Sequence, residues 1–210
     1  MSLMSKQTGG EFELCPAGTH YARNVQMIDL GGQYSEFYKK THQKVLLGWE
    51  LPGELKVDGT PFIVWRRYTN SLGENAHLRG HLESWRGRKF STKELEGFSL
   101  TKILDCACML TIVHDERDGR HYANVAQVAK LPKGTEMPDR VSDLIEFDLD
   151  RPNWESFNLL SEKLQETINS SAERRAAAVA SGANGEPPVG GDRNDAQGSA
   201  TVADDDDIPF

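Results

Sequence analysis

Two runs of strict alternation constrain the fold of this chain more than any other feature. In THQKVLLGWELPG, Val45, Leu47, Trp49 and Leu51 recur at every second position, so four large apolar side chains share one face of an extended strand that Pro52-Gly53 ends. In TPFIVWRRYTN, Phe62, Val64, Arg66 and Tyr68 share one face, and Ile63, Trp65, Arg67 and Thr69 take the other. Asp58-Gly59 lies between the two runs and is a hairpin turn signal. A helix cannot use this period, so the chain is built around a β-hairpin.

The flanking sequence extends that hairpin in both directions. GTHYARNVQMIDLGG reads as a preceding strand that closes on Gly31-Gly32. After the hairpin the period changes: in SLGENAHLRGHLESWRG, Leu78, Leu82 and Trp85 repeat at i, i+4 and i+7. Ser71 and Glu74 have capping-box spacing and Gly87 is a stop, which predicts a helix of about three turns. Ser91 with Glu94 repeats the capping signal and predicts a short second helix ending at Gly97. ILDCACMLTIV then reads as a buried strand, Asp118-Gly119 as its turn, and HYANVAQVAKL as the returning strand. Three strands, a helical insertion and two strands predict a mainly β domain over residues 12–131, a five-stranded OB-fold barrel.

The ends read differently. Residues 1–11 are polar and glycine-bearing, which predicts a flexible arm. Residues 132–150 carry Pro132 and Pro138 and read as a connector. DRPNWESFNLLSEKLQETI predicts a C-terminal helix capped by Asp150, with Trp154, Phe157, Leu164 and Ile168 near one face, and AERRAAAVA prolongs it to residue 180. Its apolar face suits its own barrel and a second copy equally, so homo-oligomers are compatible with it. From residue 181 to residue 203 the composition turns to Gly, Pro, Asn, Ala and Asp, which cannot bury enough surface to offset ordering and predicts a disordered linker.

Charge is unevenly placed. The formal net charge of −8 argues against nucleic acid at first sight. From Ala172 onward, however, eight acids face three arginines, and between Pro61 and Phe90 six cations face only Glu74 and Glu83. The acidity sits at the tail, while the body has a basic stretch interleaved with rings. Single-stranded nucleic acid needs that mixture: cations track the phosphates and flat rings stack on bases. VWRRY supplies Trp65, Arg66, Arg67 and Tyr68; the helical insertion supplies Arg79, Arg86, Arg88 and Lys89; EFYKK supplies Phe37, Tyr38, Lys39 and Lys40. Because strand neighbours alternate, at most one of Trp65 and Tyr68, and one of Arg66 and Arg67, faces a ligand. Trp49 and Trp85, in register with aliphatic neighbours, are expected in the core.

Other chemistry is poorly served. His77 and His81 stand four apart on the predicted helix but lack a third ligand, and are expected as surface histidines. Cys106 and Cys108 would share a strand face and suit packing better than zinc. No phosphate-binding glycine loop, nucleophile elbow or paired-carboxylate signature appears, so no enzyme, cofactor or metal is expected. Three cysteines without a disulfide framework fit a reducing cytoplasm, and no apolar run is long enough to cross a membrane as a helix.

The chain closes on DDDDIPF, residues 204–210. Four adjacent carboxylates oppose burial, while Ile208, Pro209 and Phe210 have no use in a merely solubilising tail. This run resembles the tip of bacterial single-stranded-DNA-binding proteins, in which an acidic linker ends in aspartates and Ile-Pro-Phe. The resemblance implies that Asp204, Asp205, Asp206, Asp207, Ile208, Pro209 and Phe210 recruit replication, recombination or repair enzymes by docking in a pocket flanked by basic residues. The body, with RRYTNSL, LESWRGRKF and HYANV, is similar to phage-encoded OB-fold single-strand binders, implying a protein at work in a bacterial host's cytoplasm. The expectation is a binder of single-stranded DNA without sequence preference. The competing readings are an adaptor that sequesters host enzymes through its tail, and a recombination mediator or annealing protein. The aspartates are also expected to compete with phosphate for the basic stretch, so that deleting residues 204–210 tightens DNA binding at low salt.

Overall fold

The structure, a computed structural model, describes residues 13–117 and 119–180. The arm, the linker and the tip read from the sequence lie outside those residues. The described chain is mainly β: one sheet of six strands with five short helices.

The long first strand β1 (Gly18–Ser35) organises the sheet by serving two partners in succession. Its first third, Gly18 to Arg23, pairs antiparallel with β4 (Ala107–Arg117). From Arg23 onward it pairs antiparallel with β2 (Lys40–Leu55). Register irregularities at Asn24/Gln26 and Asp29/Gly31 bend it between these tasks. The predicted hairpin is present: β2 pairs with β3 (Pro61–Thr69), setting Trp49 opposite Val64 and Leu47 opposite Arg66. Pro52-Gly53 does not end β2, which runs on to Leu55 through a register irregularity between Leu51 and Leu55. β4 pairs with β5 (Arg120–Ala129), and the strand order is β3-β2-β1-β4-β5. Among the described residues the end strands β3 and β5 share no ladder, so the sheet is open and not the closed barrel expected from the sequence; the Arg66 guanidinium donates to the Val125 carbonyl between the two end strands.

The helical insertion is α1 (His77–Arg86) and α2 (Thr92–Glu96), followed by a 3-10 turn at Leu100–Ile103, and the strand read from Ile103 onward begins only at Ala107. Gly87 caps α1 in the left-handed conformation at φ 66°, as its sequence position indicated. Ser71 and Glu74 do not start the helix; it begins after Ala76 without a side-chain cap. Ser91 and Glu94 do form the capping box of α2. The inner face of the sheet closes over α1 in one core containing Leu47, Trp49, Leu51, Val64, Tyr68, Leu78, Leu82, Trp85, Leu110 and Ile112.

The C-terminal third is folded differently from one continuous helix. A short strand β6 (Ile145–Phe147) lies parallel to β1, opposite Gln26, Met27 and Ile28 on the edge that β4 vacates after Arg23. Three helices follow: α3 (Trp154–Asn158), α4 (Glu162–Asn169) and α5 (Ala172–Ala180). The Asn153 side chain, not Asp150, caps α3. Phe147, Phe157, Leu160 and Ile168 pack with Ile28, Leu30 and Leu46 in a second core on the outer face of the sheet. Carboxylates fasten this layer by accepting backbone and side-chain amides. Glu50, fully buried, accepts from Val141 (2.9 Å) and Ser142 (2.5 Å). Glu173 accepts from Gly32 N–H (2.8 Å) and the Gln43 amide (2.6 Å).

Candidate nucleic-acid interface

The basic and aromatic residues picked out in the sequence divide into three groups once folded. The first lies on β3, where alternation sends neighbours to opposite faces. Tyr68 is buried in the core at 1% exposure, its hydroxyl 2.8 Å from Nδ1 of His81. Arg66 is buried beside it, its guanidinium 5.3 Å from the Tyr68 ring centre. Both point inward, so the expectation of ligand contact at these two positions is corrected: they hold β3 to α1 and β5. Trp65 and Arg67 take the outer face. Trp65 is half-buried against the second core, lies so close over Gly48 that a Cβ there would come within 2.8 Å of it, and donates its indole N–H to Gln26 Oε1 at 2.7 Å. That ring is mostly committed to packing.

The second group surrounds α1 and α2. Arg79 donates to Glu83 at 3.0 Å, and the Phe90 amide also donates to Glu83. Those two bonds, the amide first, hold the Glu83 carboxyl below the usual carboxylate range. Arg86 and Arg88 both pair with Glu94, which also takes the Ser91 amide. Glu94 is therefore pulled far below its ordinary pKa, by Arg88 foremost. Arg86 is sandwiched near Phe90 (4.4 Å) and Phe98 (5.0 Å). Arg88 and Lys89 remain exposed. Phe98, Lys102, Ile103, Cys106, Lys130 and Leu131 join Trp85, Arg86, Arg88 and Glu94 around an open cleft of about 520 Å³. No local sequence signal brings Lys102 and Lys130 to this place; only the fold does.

The third group is the tip of the β1–β2 hairpin, residues 34–42. Tyr34, Phe37 and Tyr38 are 50%, 60% and 41% exposed, a concentration of large rings in water at one end of a hairpin. Phe37 and Tyr38 meet edge to face at 4.9 Å, and Tyr38 reaches His42 at 5.9 Å. Lys39 and Lys40 stand exposed among them. Lys39 has a left-handed backbone at φ 51° and pairs with Glu36 at 2.7 Å, an exposed contact worth little in water. Sequence reading found Phe37, Tyr38, Lys39 and Lys40 but missed Tyr34. Its signal was present: Tyr34 alternates with Gln33 and Ser35 in a strand that continues past Gly31-Gly32.

The histidines and cysteines separate as well. His77 is exposed as expected, whereas His81 turns under α1 to meet Tyr68, which corrects its placement on the surface. Cys108 is buried in β4, while Cys106 precedes the strand and is exposed, so the two share no strand face. Among the described residues, no three His, Cys, Asp or Glu side chains converge to hold a metal, and no helix is long and apolar enough to cross a membrane. The tip residues Asp204, Asp205, Asp206, Asp207, Ile208, Pro209 and Phe210 lie outside the described residues.

His81 gives this region a pH dependence. Burial first, then the charges of Arg66 and His77, lower its pKa to about 4, against an ordinary value of 6.5. In the unfolded chain it takes a proton near pH 6.5; in the folded chain it stays neutral until about pH 4. The unfolded state binds more protons in that window, so stability falls as pH falls from 6.5 to 4, by about 1.4 kcal/mol per unit at most. Urea unfolding at pH 7 and pH 5 is expected to show this loss, and His81→Gln is expected to reduce it. An equal loss in both proteins would assign the pH dependence to other groups.

No protein-family model matches the chain, and no curated protein does.

Proposed function

We propose that the chain is a single-stranded-DNA-binding protein without sequence preference, with the β1–β2 hairpin tip as its stacking surface. The observation that carries this reading is the group of exposed rings Tyr34, Phe37 and Tyr38 interleaved with Lys39 and Lys40. Exposed large rings are costly in water and need a reason. Rings beside cations suit an unpaired strand, because every base has a flat face and every step a phosphate. The strand order is compatible with the same reading: a bent first strand is shared by β2 and β4, and Arg66 bridges β3 to β5, as an OB-type barrel would require. Residues 204–210 would recruit replication, recombination or repair enzymes, their aspartates steering toward basic ridges and Phe210 supplying an apolar anchor.

Fluorescence anisotropy of labelled oligo-dT tests the reading directly, using the full chain and a chain ending at Ala203 at two salt concentrations. Salt-sensitive binding by both is expected, tighter for the shortened chain at low salt because an acidic segment has been removed. No binding by either would sink the proposal and favour the adaptor reading, in which only the tail acts.

A further inference from the structure

The hairpin tip leaves the cleft beside α1 and α2 unaccounted for. Trp85, Phe98, Ile103 and Leu131, from elements far apart in the chain, give it an apolar lining. Arg86, Arg88, Lys102 and Lys130 join them, against the single carboxylate of Glu94. The four cations are not equivalent. Arg86 and Arg88 both donate to Glu94, so their guanidinium forks are largely engaged within the protein. Lys102 and Lys130 form no ion pair among the described residues, and both are exposed. What the cleft offers a ligand is therefore an apolar lining and two ammonium groups. A nucleic-acid strand needs more: several free cations for its phosphates and a free ring face for its bases. Here the Phe98 ring already carries Arg86 at 5.0 Å and Lys102 at 5.6 Å. A molecule with one acidic head and an apolar body needs only what is present, and about 520 Å³ is the size of a small-molecule site.

We propose that this cleft binds a small amphipathic anion, one acidic head group on an apolar body, with the head paired to Lys102 and Lys130 and the body against the apolar lining. Charge-assisted bonds to the ammonium groups fix the head, and removal of apolar surface from water holds the body. Neither contact involves the hairpin tip, so the cleft can act whether or not the chain binds DNA. The cleft also carries its own reporter. Cys106 lines it, and of the three cysteines only Cys106 is exposed, Cys15 and Cys108 being buried. A ligand seated in the cleft shields that thiol from an alkylating reagent.

The probe is anilinonaphthalene sulfonate, an acidic head on an apolar body, titrated into the full chain and followed by its fluorescence. A dissociation constant on the order of tens of micromolar is expected from the efficiency usual for a ligand of this size. Because the dye also brightens on other exposed apolar patches, its place is read from Cys106. Saturating dye should slow alkylation of Cys106 by N-ethylmaleimide, scored by mass spectrometry, at least about fivefold. Naphthalene sulfonate should displace the dye, and naphthalene sulfonamide, the same body with an uncharged head, should do so at least about tenfold less well. Lys102→Gln with Lys130→Gln, both at exposed positions, should weaken dye binding at least about fivefold and leave the melting temperature unchanged. Alkylation at an undiminished rate under saturating dye, or a double variant that binds the dye as its parent does, would overturn the proposal. Equal displacement by the two naphthalene compounds would also overturn it, leaving an apolar patch with no selection for charge. Oligo-dT is the separating arm and should leave the alkylation of Cys106 unchanged. Shielding of Cys106 by oligo-dT would make the cleft a DNA contact and overturn the small-anion assignment. Shielding by the dye in a chain that binds no oligo-dT at all would uphold the cleft and sink the proposed function instead.

Discussion

Replacing Tyr34, Phe37 and Tyr38 together with alanine is expected to weaken oligo-dT binding at least about a hundredfold while leaving the melting temperature nearly unchanged. Stacking of a base on an aromatic ring is worth roughly 1–3 kcal/mol, so three rings acting even at the low end reach that factor. Stability should be spared because half or more of Tyr34 and Phe37, and 41% of Tyr38, already faces water. The conservative set Tyr34→Phe, Phe37→Tyr and Tyr38→Phe keeps the rings and should keep the affinity. Lys39→Ala with Lys40→Ala should act differently, flattening the salt dependence by about 0.7 per lost phosphate contact rather than abolishing binding. Unchanged affinity in the triple alanine variant would move the interface away from this hairpin altogether.

The division between exposed rings and packed rings was only half legible in the sequence. Period two told that Trp65 and Tyr68 oppose each other, and that Arg66 and Arg67 do, but not which face of β3 is inside. That depends on partners distant in sequence. His81 lies 13 residues from Tyr68 and Val125 lies 59 from Arg66, and no local pattern announces either. Nor did alternation warn that the outer face is itself covered, so that Trp65 gains a second core rather than an open surface. Basic charge was a poorer guide than exposure. Arg79, Arg86 and Arg88 gave the stretch its positive sign, yet each is engaged by Glu83 or Glu94. Glu94 comes after the stretch whose charge was counted.

The fold was most legible where a local rule has no competitor. Alternation in β2 and β3, the left-handed Gly87, and the Ser91–Glu94 capping box each follow from short-range geometry. Boundaries failed where tertiary pairing outweighed a local breaker. Pro52-Gly53 lies inside β2 because the strand resumes pairing with β3 at Leu55 opposite Pro61. The C-terminal third read as one helix because Trp154, Phe157, Leu164 and Ile168 share a rough period. The chain instead breaks into α3, α4 and α5, since the outer face that they cover needs Phe157, Leu160 and Ile168 from several directions. Ile145 to Phe147 gave no strand signal worth reading, being only three residues long. Their pairing exists because β4 leaves β1 at Arg23 and exposes an edge.

That outer layer carries the second large expected effect: Gly31→Val should destabilise the protein by roughly 2–5 kcal/mol. Gly31 sits at φ 67°, where a side chain costs about 1–2 kcal/mol and a β-branched one is least tolerated. A Cβ there would also fall 2.6 Å from Leu149 Cδ1, 2.7 Å from Ser171 Cβ and 2.7 Å from Glu173 Oε2. The Leu149 side chain can swing aside, but Ser171 is fully buried and its Cβ moves only with the backbone, which adds about 1–3 kcal/mol of overpacking. For a domain of this size the sum corresponds to a fall of roughly 5–15 °C in Tm. Gly53→Ala is the matched control, because a Cβ at Gly53 meets nothing within 4 Å and its effect should stay within about 0.5 kcal/mol. Thermal melting also asks whether the layer is an integral part of the domain. If it is, Gly31→Val shifts a single transition, since Glu50, Asp29 and Glu173 tie the layer to β1 and β2 at separate points. If the layer is loosely attached, the variant shows early protease cleavage after residue 131 and a nearly unshifted main melt. A Tm within 2 °C of the parent and no new cleavage would mean that α4 and α5 do not pack on Gly31 at all.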